Sequence, residues 1–258
     1  MQTRISTLVA RMAWNTNNRI HHFTPEKVNQ AILSGTLLMI PTLNEAEAIG
    51  ELITEARANG FSRIIVVDGF STDGTRDAAE KAGVEVLLQD FGKGKGCGVR
   101  TGMREFLQTD AKLLCIIDGD GTNDPSFLAR MLAIVQSGEY DVVLGSRTHG
   151  PRERGAMDFL SLTSNLTVSF LLGAKFGRLF SDVQTGYWIF TRDAVQQTYP
   201  NIQSTGLEIE LEIFVKILQE GLRVHEIPVG FRRRKGTTKF SFKMRIRNLY
   251  YVFKFLAS

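Results

Sequence analysis

The chain has 258 residues, 43% of them hydrophobic and 22% charged, enough to bury one sizeable core without disulfide staples. Its two cysteines, Cys97 and Cys115, have no metal-site spacing and suit a reducing compartment. Net charge is only +4, yet from Gly221 to Ser258 ten lysines and arginines face a single acid, Glu226, which calls for an anionic partner on that side: nucleic acid, a phosphorylated ligand or an anionic membrane.

Residues 1–35 carry weak patterns and read as an N-terminal extension, partly helical. The first twenty residues lack the continuous apolar core of a signal peptide, and no run reaches the roughly 20 apolar residues that span a bilayer. From there apolar runs and helical spacings alternate. "TLLMIPT" predicts a buried strand, and Ile49, Leu52, Ile53 and Ala56 predict a helix that stops at Gly60. "RIIVVD", "VEVLLQ", "KLLCIID" and "DVVLG" are further strands, separated by the helical "TRDAAEKAG", "GVRTGMREFLQT" and "PSFLARMLAIVQSG". Later come an apolar helix "DFLSLTSNLTVSFLLGAKFG", a strand "DVQTGYWIF", an amphipathic helix "GLEIELEIFVKILQEG" and a strand "LRVHEIPVGF". This alternation predicts an α/β fold, a mostly parallel sheet flanked by helices in one domain over 36–240. A basic amphipathic helix follows over 241–258.

In such sheets ligands sit beyond the carboxyl ends of the strands. The polar motifs fall there: "PTLNE" after the first strand, "DGFSTDGT" after the second, "DGDGTND" after the fourth and "GSR" after the fifth. Asp118 and Asp120 flank one glycine, Gly119, where an apolar run ends. Two like charges there call for a cation or strongly positive neighbours between them. A hard divalent cation, Mg²⁺ or Mn²⁺, fits two carboxylates completed by water and a pyrophosphate; an Asp-Gly turn is the rival reading. Asp68, at a strand end, can accept hydrogen bonds from a base or ribose, whereas Asp73 also reads as a helix cap. "FGKGKGCGVRTG" lacks the Ser or Thr of a phosphate loop. It reads either as backbone N–H groups with Lys93 or Lys95 near phosphate, or as a turn with solvated lysines. "FRRRKGTTKF" is dense enough to clamp a diphosphate, or is a solvated basic turn. It lacks the interleaved aromatics expected of a nucleic-acid binder.

In this order the motifs resemble the family 2 glycosyltransferases, and most closely the dolichyl-phosphate or polyprenyl-phosphate sugar synthases, from about Leu37 to Lys239. The resemblance implies a GT-A fold and an inverting transfer of a hexose or N-acetylhexosamine from a nucleotide diphosphate sugar. It implies nucleotide-sugar contacts from Pro41, Thr42, Asn44, Glu45, Asp68, Lys95, Asp118, Gly119 and Asp120, with Arg234 and Lys239 aimed at phosphates. Asp118 and Asp120 match the family's metal-binding Asp-x-Asp, and Arg147 matches a family arginine. With Arg152 and Arg154 it would hold an acceptor phosphate; a hydroxyl acceptor would need a carboxylate base, for which Asp182 is the candidate. "VDGF" stands where many relatives have "VDDG" or "VDGG", and Trp188 follows "TGY" where an arginine is common. The implied partners are a nucleotide diphosphate sugar, a polyprenyl phosphate and the cytosolic membrane face, met peripherally. Two rival readings stand: the same chemistry on a soluble phosphoglycerate-like acid, and an inactive nucleotide-sugar binding protein.

Overall fold

A computed structural model describes residues 30–236 and 242–257. Of the expected extension, residues 1–29 lie outside the described residues; the helix α1 (Gln30–Ser34) leads into the first strand. The order continues as β1 (Thr36–Thr42), α2 (Ala46–Ala58), β2 (Ile64–Asp68), α3 (Thr75–Lys81), β3 (Glu85–Leu88), α4 (Lys95–Gln108) and β4 (Leu113–Ile116). Then come α5 (Leu128–Gln136), β5 (Val142–Ser146), α6 (Phe159–Lys175), β6 (Trp188–Thr191), α7 (Arg192–Thr198), α8 (Ile209–Gln219), β7 (Val224–Pro228) and α9 (Phe242–Ala257).

The strands form one seven-stranded sheet in the order β3-β2-β1-β4-β6-β5-β7. All neighbours pair in parallel except β6, which is antiparallel to both β4 and β5. The sheet is thus mostly parallel, as the alternation of strands and helices predicts. Its central strands are buried on both faces, whereas the edge strand β3 is partly exposed, and the period of two divides the buried side chains between two cores. Leu37 and Met39 face the layer of α4, α6, α8 and α9, whereas Leu38 and Ile40 face α2 and α5. The segment read as the strand "DVQTGYWIF" pairs only over Trp188–Thr191, and the residues before it form a loop. Helix α7 carried no sequence signal that singled it out. It begins at a cap in which Thr191 Oγ1 accepts from the Ala194 N–H.

The antiparallel strand matters for the site. Parallel strands bring their carboxyl ends to one edge, and β6 brings its amino end to that same edge. Trp188 pairs with Ile116 and Leu144, so Gly186 and Tyr187 lie between the chain leaving β4 and the chain leaving β5. On the other side Thr42 is in register with Asp68, and the Gly119 N–H donates to the Pro41 carbonyl at 3.3 Å. Loops after β1, β2, β4, β5 and β7 therefore converge on one cleft.

Arg192, the first residue of α7, closes the far end of α4. Its guanidinium donates to the carbonyls of Phe106, Leu107, Thr109 and Ala111 at 2.7–3.4 Å and lies 4.6 Å from the Phe106 ring centroid. Phe106 and Leu107 are in the last turn of α4, Thr109 and Ala111 just beyond it, and a cation suits that end of the dipole. Arg192→Ala is expected to cost about 2–3 kcal/mol, lowering the melting temperature by roughly 4–10 °C. Differential scanning calorimetry measures this directly.

Candidate active site

The loops after β1 and β2 are stitched to each other. The Asn44 N–H donates to Ser71 Oγ at 2.8 Å, and the Thr72 N–H donates to Asn44 Oδ1 at 2.8 Å. The Glu45 N–H donates to Thr75 Oγ1, and the Ala46 N–H to Asp73 Oδ2. Asp73 also accepts from the Thr75 N–H, so it serves the turn and the neighbouring loop together. These bonds hold two non-glycine residues at positive φ, Asn44 at 49° and Phe70 at 69°. For a bulky side chain that conformation costs on the order of 1–2 kcal/mol and persists only where the surroundings over-determine it.

Asp118 and Asp120 face the cleft with side chains 18% and 15% exposed, and each meets a cation brought by a distant element. Lys95, at the start of α4, places Nζ 2.6 Å from Asp118 Oδ1 and 2.5 Å from Glu210 Oε1 on α8. Burial alone would push the Lys95 ammonium down, but Asp118 and Glu210 outweigh it and hold it above its ordinary range. Arg234, six residues beyond β7, places Nη1 2.6 Å from Asp120 Oδ2 while Nη2 donates to Glu45. Asp120 Oδ1 accepts from the Thr122 N–H and hydroxyl. The positive neighbours that the two carboxylates call for are thus Lys95 and Arg234.

Arg147, immediately after β5, is half-buried and points at Asp182. Its Nε and backbone N–H donate to Asp182 Oδ2, and its Nη2 to Oδ1 and to the Gln184 carbonyl. Burial would lower the Arg147 guanidinium and Asp182 more than restores it, so it stays charged. Asp182 is itself fully buried, and Oδ1 also accepts from Asn165 Nδ2 at 2.5 Å. With both oxygens occupied and no exposure, its contacts give it the task of holding Arg147 in place rather than of taking a substrate proton. Arg152 and Arg154 lie on the exposed loop after β5, where Arg152 bridges to Phe231. Lys239 lies outside the described residues.

Three features were not legible in the motifs. Glu210 is one. Gly186 is another, since a Cβ there would fall 2.1 Å from Asp118 Oδ2, so only glycine lets the carboxylate occupy its place. The third is a set of buried polar atoms at these strand ends with no hydrogen-bond partner among the described residues: Thr42 Oγ1, Asp68 Oδ1 and the side-chain amide of Asn123. Buried polar atoms are normally paired, so these atoms have bonding capacity left for water or a ligand.

The donor set suits a hard divalent cation. Asp118 and Asp120 offer carboxylate oxygens from one turn, and among the described residues no group of three or more His, Cys, Asp or Glu gathers to form a closed protein cage. The rest of a coordination shell would come from ligand oxygens and water, the usual arrangement for Mg²⁺ and its relatives at phosphate sites.

Glu226, on β7, accepts from the backbone N–H groups of Ser181 and Asp182 at 2.9–3.0 Å and so fixes the segment carrying Asp182. Burial pushes its carboxyl up from 4.5 to about 7, against the pull of those two donors. The folded state therefore binds the proton more tightly than the unfolded chain. The resulting stability is complete below about pH 4.5, falls as pH rises toward about 7 and is lost above it. Glu226→Gln is expected to remove a decline on the order of 2–3 kcal/mol across that window. Denaturant titrations of both proteins between pH 4.5 and 7.5 measure the difference.

Comparison with known proteins supplies a family. The model for "Glycosyl transferase family 2" matches residues 38–198, more than half of the chain. The chain is 36% identical over 194 residues to "Glycosyltransferase AglJ" of Haloferax volcanii, covering 75% of this chain but only 62% of that relative's length. It is 30% identical over 220 residues to the undecaprenyl-phosphate mannosyltransferase of Micrococcus luteus, with coverage of 80% and 87%. Among solved structures, glucosyl-3-phosphoglycerate synthase from Mycobacterium tuberculosis, in complex with Mn²⁺ and uridine-diphosphate-glucose, superposes with a TM-score of 0.69. That match has 19% identity and covers 90% of this chain and 82% of the other; it establishes a shared fold.

Proposed function

The chain belongs to glycosyltransferase family 2, and from that premise we propose that it moves a hexose or N-acetylhexosamine from a nucleoside diphosphate sugar to a polyprenyl (dolichyl) phosphate, working peripherally at the cytosolic membrane face. The observation that carries this reading is the carboxylate pair Asp118 and Asp120 with Lys95, Arg234 and Arg147 gathered around it. Such a cleft suits a diphosphate, and the unpaired Asp68 Oδ1 suits an N–H on a nucleobase edge. Pro41, Thr42, Asn44 and Glu45 line the nucleoside side. Asp118 and Asp120 would hold Mg²⁺ or Mn²⁺, which when bound supplies positive charge against the departing diphosphate.

The remaining chemistry falls to side chains of this chain. An ionised phosphate oxygen of the acceptor attacks the anomeric carbon opposite the leaving diphosphate. The new C–O bond forms as the old one breaks, the electron pair leaves with the nucleoside diphosphate, and configuration inverts. Such an oxygen is already deprotonated at neutral pH, so no general base is required, in keeping with the buried, fully engaged Asp182. Arg234, Lys95 and Lys239 neutralise charge on the leaving group, and Arg147, with Arg152 and Arg154, holds the acceptor phosphate. Those arginines would equally hold the phosphate of a soluble acid, which keeps that acceptor as the second reading.

Two exposed apolar faces support a lipid acceptor. Phe159, Leu160, Leu166 and Phe170 are exposed along α6, as are Tyr250 and Phe253 along α9. The two helices pack together, and Lys175 Nζ donates to the Phe255 carbonyl at 2.7 Å. With Lys243, Arg245, Arg247 and Lys254, α9 has the composition of a helix that lies in an anionic lipid interface. Among the described residues no helix is long and apolar enough to cross a membrane.

The test is transfer of radiolabel from UDP- and GDP-sugars to a polyprenyl phosphate in detergent, with Mg²⁺ or Mn²⁺. Label is expected in the lipid phase, abolished by EDTA and reduced about 10²-fold or more by Asp120→Ala. Label appearing instead in phosphoglycerate selects the soluble acceptor, and nucleotide binding without any product makes the protein a binder. A second experiment addresses the cation. Gly186→Ala, which forces Asp118 aside, is expected to weaken Mn²⁺ binding in the presence of nucleotide about 10–100-fold. Electron paramagnetic resonance of free Mn²⁺ reads that change.

A further inference from the structure

Among the described residues, exposed large apolar side chains gather in two places. One is the α6 and α9 surface; the other is the ends of β1, β2 and β3, where Leu43, Phe70, Leu88 and Phe91 stand beside the cleft. Phe91 has an intramolecular use, since the Arg100 guanidinium lies 4.3 Å from its ring centroid. Among the described residues no cation lies over the Phe70 ring in this way. It is 44% exposed and sits at φ 69°, a conformation that favours glycine.

Two residues earlier, Asp68 is fully buried. Its Oδ2 accepts from the Ser71 N–H at 2.9 Å, so the turn of Gly69, Phe70 and Ser71 wraps the carboxylate. Its Oδ1 has no hydrogen-bond partner among the described residues. One turn thus holds two costly features, a strained aromatic residue turned to solvent and an unpaired buried oxygen. A single flat ligand with an N–H on its edge and an apolar face satisfies both.

We infer that Phe70 is a specificity-determining wall of the nucleobase site: the base donates from its edge to Asp68 Oδ1 and lies with its face against the Phe70 ring. This rests on the nucleoside diphosphate sugar reading above. Because Asp68 is covered, the base reaches it when the turn opens. Uracil and guanine both carry a ring N–H at the middle of that edge; adenine and cytosine in their neutral forms have a ring acceptor nitrogen there, which repels a carboxylate oxygen, and offer only the amino N–H beside it. UDP and GDP are therefore the nucleotides to compare, with ADP and CDP as the disfavoured pair.

The experiment is calorimetric titration of UDP, GDP, ADP, CDP and inorganic pyrophosphate, each with Mn²⁺, into wild type, Phe70→Gly and Phe70→Tyr. Glycine adopts the native φ without strain, so Phe70→Gly retains the turn while deleting the ring; circular dichroism confirms its fold. Wild type is expected to prefer UDP or GDP. Phe70→Gly weakens that nucleotide on the order of tenfold or more, Phe70→Tyr stays within about twofold, and pyrophosphate affinity is unchanged in both. Phe70→Gly binding the nucleotide as wild type does, or losing nucleotide and pyrophosphate alike, overturns the inference while leaving the donor reading in place. Wild type binding none of the four nucleotides overturns both.

Discussion

Two carboxylates separated by one glycine at the end of a buried strand cannot stand alone, and the cleft is organised around their neutralisation. The cations come from opposite sides of the sheet. Lys95 arrives from the segment after β3, at one edge, and Arg234 from the segment after β7, at the other. Each cation in turn has its own acidic anchor, Glu210 for Lys95 and Glu45 for Arg234. The ion pairs thereby span the width of the molecule. Buried pairs of this kind add little net stability, because desolvation consumes much of the Coulombic gain. On the reading proposed above, their contribution is to hold strong, partly exposed charges where a diphosphate and its cation would take them over.

A second relay serves the other side of the cleft. Glu226 accepts from the backbone of Ser181 and Asp182, Asp182 clasps Arg147, and Arg147 faces the cleft beside Phe231. Asp182, the middle member, is fully buried, while Arg147 keeps part of its side chain exposed. Residues that look catalytic by type can therefore be supports by position, and burial tells the two apart. The segment 204–206 plays a comparable part. The Gly96 N–H donates to the Gly206 carbonyl, while Glu208 accepts from Gly206 and from Arg247 on α9. The amino end of α4, with Lys95, is consequently braced through that segment against the C-terminal helix.

Much of this was legible from the residues. Apolar runs closing on Thr42, Asp68, Ile116 and Ser146 marked strand ends, and the motifs after them had to converge once the sheet was parallel. What stayed hidden depends on contacts between distant segments. Nothing in "GLEIELE" separates Glu210, which meets Lys95, from Glu208, which meets Arg247, or Glu212, which accepts from Gln203 and Ser204; alternate positions on one helix end face different neighbours. The direction of β6 was equally hidden, because a short run of three apolar residues and a threonine carries no mark of its direction. Gly186 and the buried state of Asp182 follow from that direction. The strain at Phe70 left only an indirect trace, a phenylalanine where the resembling motifs end in glycine, since aromatic residues seldom occupy that conformation.

The reversed strand also bears on how the molecule is made. β6 lies between β4 and β5 and is the partner of both, so β5 has no place in the sheet until residue 191 is available. As the chain leaves the ribosome, the first four strands can assemble early, presenting β4 as an open edge for some 75 residues of synthesis. An apolar, unpaired edge is the surface on which chains join one another. The cleft gains its centre only with the one strand that runs against the rest, and Arg234, beyond β7, joins it later still. Expression yield is therefore expected to depend on what shields "KLLCII" during that interval.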